Sequence, residues 1–405
     1  MNVLFVSPSY PTEMPEFVRG LAEVGARVWG LGPEPVQQLP AMTRRHLAGY
    51  LQVPNLFDGD DVVRRVRKWL RGKEIDRVEC LAEYFVLLAA KLREAFGVPG
   101  LTVEQTIPFR DKEKMKQVLD AHGIRTPRHV RATTAAEVWA AAERIGFPLI
   151  VKPIDGAGSA NTYRVESKAE LQRVVPRLQS LSEVSVEEFV DGEEYTFDTL
   201  TCKGEILYHN IAWYRPRPLV ARSNEWVSPQ VIALRDVNAK VLREGTAMGV
   251  AVIKALGFDS GFTHMEWYRK SDGEVVFGEI GGRPPGARQV DQMNYACDFD
   301  SFREWARIVC YGKMETRIDR RYNVATIFKR AQGQGRIRHV EGLDRIRRQF
   351  GHHIVWENLL PVGAERRNWL QTLVSDGFIV LRHPDLGATL EMADRVGSEL
   401  QLFAS

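Results

Sequence analysis

The chain has 405 residues, 44 % hydrophobic and 26 % charged, with 55 basic against 52 acidic side chains and a formal net charge of +3. That length predicts two or three domains, and the near balance of charge argues against nucleic acid and anionic membrane as partners. No stretch reaches the ~20 apolar residues of a membrane span, and Cys80, Cys202, Cys297 and Cys310 lack the spacing of a zinc site or disulfide framework.

Val3–Val6, a helical pattern near Glu16–Val24 and a second apolar run at Arg27–Leu31 predict strand, helix and strand of a parallel α/β unit. The start, MNVLFVSPSYP, has no basic n-region, so with its unpaired cysteines the chain is expected in the cytoplasm. The first βα loop, SPSYPTEMP, lacks glycine, which removes the dinucleotide fingerprint and with it a nicotinamide or flavin site. A helix is predicted over Asp60–Arg71, a strand over Arg77–Cys80 and a helix over Ala82–Phe96, stopped by Gly97-Val98-Pro99-Gly100. The first domain is placed at residues 1–108.

Helices are predicted over Asp111–Gly123 and after Thr133-Thr134, either of which could cap the second. The strand Phe147–Val151 then delivers Lys152 into a loop, IDGAGSAN, whose glycines at 156 and 158 would let backbone amides approach phosphate oxygens, although an ordinary hairpin loop reads the same way. The loop lacks the spacing of a Walker A motif. A helix is expected over Ala169–Leu178, strands over Val184–Val190 and Glu194–Leu200, and a mostly helical run over Val231–Leu256. Beyond about residue 318 come a basic helix, Arg345–Gln349, and strands near His353–Glu357 and Gly377–Arg382.

The stretch Gly261–Gly286, GFTHMEWYRKSDGEVVFGEIGGRPPG, carries the most chemistry. It reads as a hairpin in which Asp272-Gly273 is the two-residue loop, because Asp-Gly suits the positive φ of a type I′ turn. Ser271 then pairs with Glu274, and Glu266 falls opposite Glu279. Like charges at opposed positions destabilise a hairpin, so a divalent cation is expected between them; two unrelated exposed acids are the plainer reading. Magnesium suits oxygen ligands shared with phosphates. Arg283 follows on the same alternation and could reach those phosphates as a bidentate donor.

Five signals keep their order and spacing: DKEKMKQVLDAHGIRTP, FPLIVKP with its glycine loop, SVEEFVDGEEYTFD, GFTHMEWY and FGEIGGRPPG. In these the chain resembles the ATP-grasp superfamily, specifically its carboxylate–amine ligases, the L-amino-acid ligase and biotin-carboxylase-like branch. By motif the resemblance covers Asp111–Gly286. It implies an α/β and α+β architecture: a pre-ATP-grasp parallel α/β domain at 1–108, an ATP-grasp domain at 109–317 with its lid lobe near 126–186, and a small α+β domain at 318–405. It implies Lys112 and Lys152 as phosphate lysines and Asp155–Ala160, with Gly156, Gly158 and Ser159, as the loop closing over the phosphates. It further implies Glu187, Glu188 and Val190 at the adenine, Glu194 at the ribose, Glu266 and Glu279 as metal carboxylates, and Arg283 at the transferred phosphoryl group.

One position departs from the family. Its pattern Glu-Ile-Asn-x-Arg is here Glu279-Ile280-Gly281-Gly282-Arg283, without the asparagine that assists a second magnesium. The expected cofactors are ATP and Mg2+, as one or two ions, with Mn2+ able to replace it. The expected reaction is ADP-forming: a carboxylate takes the γ-phosphoryl group, and an amine displaces phosphate from the acyl phosphate to leave an amide or peptide bond. Small carboxylates and amines, amino acids foremost, are the expected substrates, and a homodimer is the assembly the family suggests. A biotin-carboxylase-like or other non-amine ligase and a degenerate ATP binder stand as alternatives. Arg215, Arg217 and Arg288 are candidates for a substrate carboxylate, with ordinary surface arginines as the alternative. His264 is expected to be structural.

Overall fold

A computed structural model describes residues 1–405 apart from Ala157, Ser159, Gln179, Ser180, Leu181 and Leu373. The buried runs Asn2–Val6 and Arg27–Gly32 pair in parallel, as their near-continuous apolar pattern requires. Arg77–Cys80 joins the free side of the first strand, and Leu47–Gln52 joins the free side of the second. The last of these was not expected from sequence. It is a half-exposed edge strand interrupted by Gly49 and shows no alternation to read.

Strand order reverses between Asn2–Val6 and Arg77–Cys80, which opens a crevice at their carboxyl ends, where ligands of open α/β sheets bind. Glu13 and Glu83 leave the sheet on the loops that follow these two strands. Helix Met14–Glu23 fastens this unit to the rest of the molecule: Phe17 meets Phe262, Phe302 and Trp305 edge-on at 5.9, 4.8 and 5.1 Å.

The largest sheet has nine strands. Its path runs Val275–Gly281, Gly261–Arg269, Glu193–Cys202, Ala212–Arg215, Gln230–Ala233, Asn323–Phe328, Gly377–His383 and Ile354–Leu359, with Glu205–Asn210 paired onto Glu193–Cys202. The expected helix over Val231–Leu256 is therefore only partly correct. Gln230–Ala233 is a fully buried strand, and the helix is Arg243–Ala255. Four residues, Gln230 and three apolar ones, are too few to show a period, so their place between two other strands decides the outcome. The residues after 318 continue this same sheet through three of its strands, and add a three-stranded sheet of Gln332–Gly333, Ile337–Glu341 and Gln401–Ala404.

A separate four-stranded antiparallel sheet, His129–Ala132, Val184–Glu188, Leu149–Pro153 and Tyr163–Val165, carries its own core under helix Ala135–Ile145. Thr134 caps that helix in a reciprocal capping box with Glu137. Asp111 caps helix Lys112–Ala121 by accepting from the backbone N–H groups of Glu113 and Lys114.

Helix Met14–Glu23 approaches Ser301–Tyr311 so closely that a Cβ at Gly20 would lie 2.6 Å from the Phe302 carbonyl oxygen. Gly20→Ala gains about 1 kcal/mol of helix propensity and costs about 1–3 kcal/mol of overpacking against rigid backbone. The expected outcome is a lower melting temperature in thermal denaturation; an unchanged or raised value would show that the two helices can separate freely.

Candidate active site

The hairpin places Glu266 directly opposite Glu279. The route differs from the one expected. The loop holds three residues, Ser271, Asp272 and Gly273, closed by the Lys270 N–H donating to Glu274 O at 2.9 Å. Pairing next to the loop is one residue out of step, Arg269 with Val275, until a bulge at Gly278 restores the register. A Cβ at Gly278 would meet Glu266 O at 2.8 Å, so the bulge needs glycine. Two one-residue offsets cancel, and the carboxylates still face each other.

Cations from two other elements converge on this pair and its surroundings. Lys112, at the start of its helix, reaches Glu279 at 3.2 Å and donates to the Gly156 carbonyl at 2.6 Å. Lys152, from strand Leu149–Pro153, pairs with Glu187 at 2.9 Å. Lys116, one turn beyond Lys112 on the same helix face, is fully buried and donates to the other Glu187 oxygen. Burial drives the Glu187 carboxyl up, yet Lys116 and Lys152 outweigh it and hold the group well below the usual carboxylate range. Ser185 joins Glu187 to Glu113, and Glu113 accepts from His129, so the cluster stitches the four-stranded sheet to the helix that carries both lysines.

Glu266 accepts from the buried Tyr214 hydroxyl at 3.3 Å, and that hydroxyl in turn accepts from Gln289. His264 lies between Asp198, at 2.6 Å, and Glu266, at 3.6 Å. Burial lowers its basicity, but Asp198 and Glu266 outweigh burial and raise the imidazole to about 9. Glu194 sits deeper in the cleft. Burial and then the Glu266 charge push its carboxyl up to about 8, in spite of Arg217.

Glu83 comes from the N-terminal unit and has no sequence signal. It accepts from Arg283 through one oxygen and from Arg110 through the other. Burial opposes its ionisation, but the two guanidinium groups hold the carboxyl down at about 2. Arg110 also donates to the Asp155 carbonyl at 2.6 Å. A Cβ at Gly281 would lie 3.3 Å from the Glu83 carboxylate and 3.4 Å from the Arg283 side chain. The glycine that replaces the family's asparagine thus leaves room for this cross-domain pair.

The other sequence candidates fall in several places. Glu188 pairs with Arg125 at 3.1 Å and with Arg128 at 3.4 Å, at the joint between helix Lys112–Ala121 and the four-stranded sheet. The Val190 carbonyl accepts from Arg217 at 2.9 Å. Gly156 and Gly158 lie on the loop after Lys152, and Ser159 is outside the described residues. Arg215 pairs with Asp394 at 3.1 Å. Arg288 lies over Trp356 with its backbone N–H on Glu13, at 4.8 and 2.9 Å, in a left-handed conformation at φ 63° directly after Ala287 at φ 55°. The three arginines do not come together.

Residues 117–287 match the model of the ATP-grasp domain. Over that stretch, 171 of the 405 residues, the chain is similar to ATP-grasp domains. An L-arginine-specific L-amino acid ligase of Bacillus subtilis is 29 % identical over 225 residues, 54 % of this chain and 53 % of that protein. A D-alanine–D-alanine ligase of Ectopseudomonas mendocina is 34 % identical over 164 residues, 37 % of this chain and 48 % of the relative. The chain thus spans about half the length of these curated relatives. The crystal structure of an L-amino acid ligase from Bacillus licheniformis shares the fold over 100 % of this chain and 98 % of that one, with a TM-score of 0.80 at 20 % identity. No described helix is long and apolar enough to cross a membrane.

For magnesium the donor set fits in a particular way. Among the described residues no group of three or more acidic, histidine or cysteine side chains forms an all-protein cage. Two opposed carboxylates suffice for a cation that takes one or two from protein and the rest from phosphate and water.

Glu83→Gln keeps the shape and removes the charge that two buried arginines share. Its expected cost is about 3–5 kcal/mol of stability, with roughly a 10²-fold loss of turnover if Arg283 drifts by about an ångström. Because the folded carboxyl is depressed to about 2, its contribution is complete above the unfolded value of about 4.3 and is lost as pH falls between the two. Acid melting curves should show that loss in the parent and not in the variant; parallel curves would mean that Glu83 is not ionised against the arginines.

Proposed function

We propose that the protein is an ATP-dependent, ADP-forming carboxylate–amine ligase that makes an amide or peptide bond through an acyl phosphate. The observation that carries this reading is the opposed pair Glu266 and Glu279, with Lys112 on one of them and Lys152 held nearby by Glu187. Such a cleft contains acids for a metal and cations for phosphate. Phosphoryl transfer asks the protein for position and charge and needs no side-chain nucleophile.

On this reading Lys112 and Lys152 take the nucleotide phosphates and Arg283 steadies the group in transfer. Glu266 and Glu279 would hold magnesium, which supplies charge neutralisation between the phosphoryl oxygens. The substrate carboxylate oxygen attacks the γ-phosphorus as the bond to the β–γ bridging oxygen breaks, and ADP leaves. The amine nitrogen then adds to the acyl carbon, loses a proton and expels phosphate. On this reading residues Asp155–Ala160 would keep water from the acyl phosphate, which is supported by Lys112 and Arg110 donating to the Gly156 and Asp155 carbonyls.

Amino acids are the substrate class that the relatives support. The crevice at the carboxyl ends of Asn2–Val6 and Arg77–Cys80 is the place proposed for them, since Glu83 links it to Arg283 and Glu13 links it to the loop that follows.

Three measurements test the proposal. ADP release should depend on ATP, magnesium and an added amino acid pair, with a condensed product by mass spectrometry; ADP release without any amine dependence would favour a carboxylase-like reaction. Lys152→Ala should lose turnover and about 1.5–3 kcal/mol of nucleotide binding. Glu266→Gln and Glu279→Gln should each remove most of the magnesium-dependent rise in melting temperature given with a non-hydrolysable ATP analogue, and the double variant should lose little more. A full magnesium-dependent rise in the double variant would place the metal elsewhere.

A further inference from the structure

Arg217 is placed by five contacts in one seat. Its Nε donates to Glu194 Oε2 at 3.2 Å and its Nη1 to the Val190 carbonyl at 2.9 Å. Its guanidinium lies 5.1 Å from the Phe189 ring centre and 4.7 Å from that of Tyr268. Asp191 stands farther off at 3.9 Å and is solvent-exposed, so it is a weak partner. The arginine side chain is only 16 % exposed. Phe189, Val190 and Asp191 belong to the turn between strands Val184–Glu188 and Glu193–Cys202, Glu194 to the start of the second of these strands, and Tyr268 to the strand that carries Glu266.

This arrangement is specific to arginine. A planar fork can place one N–H on a carbonyl and another on a carboxylate while its faces rest against two aromatic rings; an ammonium cannot. Proline on both sides, Pro216 and Pro218, fixes the backbone from which the side chain projects. The effect falls on Glu194. Among the described residues its only side-chain hydrogen bond is the one from Arg217, and that bond takes Oε2. Oε1 is left to accept from a ligand. Glu194 is buried, so its orientation is set by this partner and not by solvent.

We propose that Arg217 is a positioning residue of the nucleotide site: it clamps Glu194 to the Val190 turn so that the free carboxylate oxygen reads the sugar hydroxyls of ATP. The proposal rests on the ATP-dependent reading above, with Glu194 at the ribose as the family resemblance implies, and what it adds is the part of Arg217, which it moves away from the substrate-carboxylate role that its charge alone suggested. A carboxylate oxygen offered to a hydroxyl discriminates a ribose from a deoxyribose, because the sugar lacking the hydroxyl leaves a buried acceptor unpaired.

The test is equilibrium binding of ATP, 2′-deoxy-ATP and 3′-deoxy-ATP to the full chain with magnesium by calorimetry. It uses the parent, Arg217→Ala and Arg217→Lys, with melting curves to confirm folding. In the parent at least one deoxynucleotide should bind roughly tenfold more weakly than ATP. In Arg217→Ala the ATP Kd should rise about tenfold and the ratio between nucleotides should fall towards one, with the amino acid KM in ADP release unchanged. Arg217→Lys keeps the charge without the fork and should restore little of the ratio; it serves the same comparison if the alanine variant does not fold. A preserved nucleotide ratio in the folded variants overturns the proposal, as does a rise confined to the amino acid KM. A parent that shows no ATP binding at all would instead overturn the ATP reading on which it rests.

Discussion

Charge balance inside a desolvated cleft is the constraint on which the rest of this structure depends. Glu83, Glu187, Glu194, Glu266 and Glu279 line it from five different elements. Unpaired, each would have to protonate or stay in water. The fold instead brings cations to them: two lysines to Glu187, two arginines to Glu83, Lys112 to Glu279 and His264 to Glu266, while Glu194, although paired with Arg217, is still pushed up to about 8 by burial and the Glu266 charge. The sheets, helices and glycine turns are arranged so that these partners arrive together.

The balance is uneven, and the unevenness matches the proposed chemistry. Glu83 and Glu187 are each gripped through both oxygens and are held strongly ionised. They act as fixed counter-charges that aim Arg283, Arg110 and Lys152. Glu266 and Glu279 are held more loosely, Glu279 by Lys112 at 3.2 Å and Glu266 by the Tyr214 hydroxyl at 3.3 Å and His264 at 3.6 Å. A site for a transient cation and a triphosphate needs this division. Groups that aim must be locked, and groups that bind must exchange their partners for the ligand at small cost.

The N-terminal unit is part of the site. Its parallel sheet contributes no nucleotide fingerprint, yet the loops at its switch point supply Glu83 and Glu13, and these meet the segment Gly281–Arg288. Gly281 is the hinge of that relation. Without a side chain there, space remains for the Glu83 carboxylate beside Arg283.

Much of this was legible in the chain. The DKEK helix, the FPLIVKP strand, the VEEFVDGEE turn and the Glu266–Glu279 pairing follow from local periodicity, capping and strand alternation, which need only neighbouring residues. Those rules succeed because each acts over a few residues, and errors within a few residues can cancel, as the three-residue loop and the Gly278 bulge did. Lys116 was within reach of the same rules, one helical turn from Lys112. Other features have no local cause. The strand Gln230–Ala233 exists because two strands flank it. Glu83 is separated from Arg283 by 200 positions, and tertiary packing such as that of Met14–Glu23 against Ser301–Tyr311 brings their units together. Arg217 reads in sequence as one more basic residue; its meaning comes from the carbonyl, the carboxylate and the two rings that the tertiary structure sets around it. The sequence by itself determined which side chains carry charge and which short elements present them. Which charge faces which was decided by tertiary structure, because pairing across a buried cleft depends on distances that no local backbone rule contains.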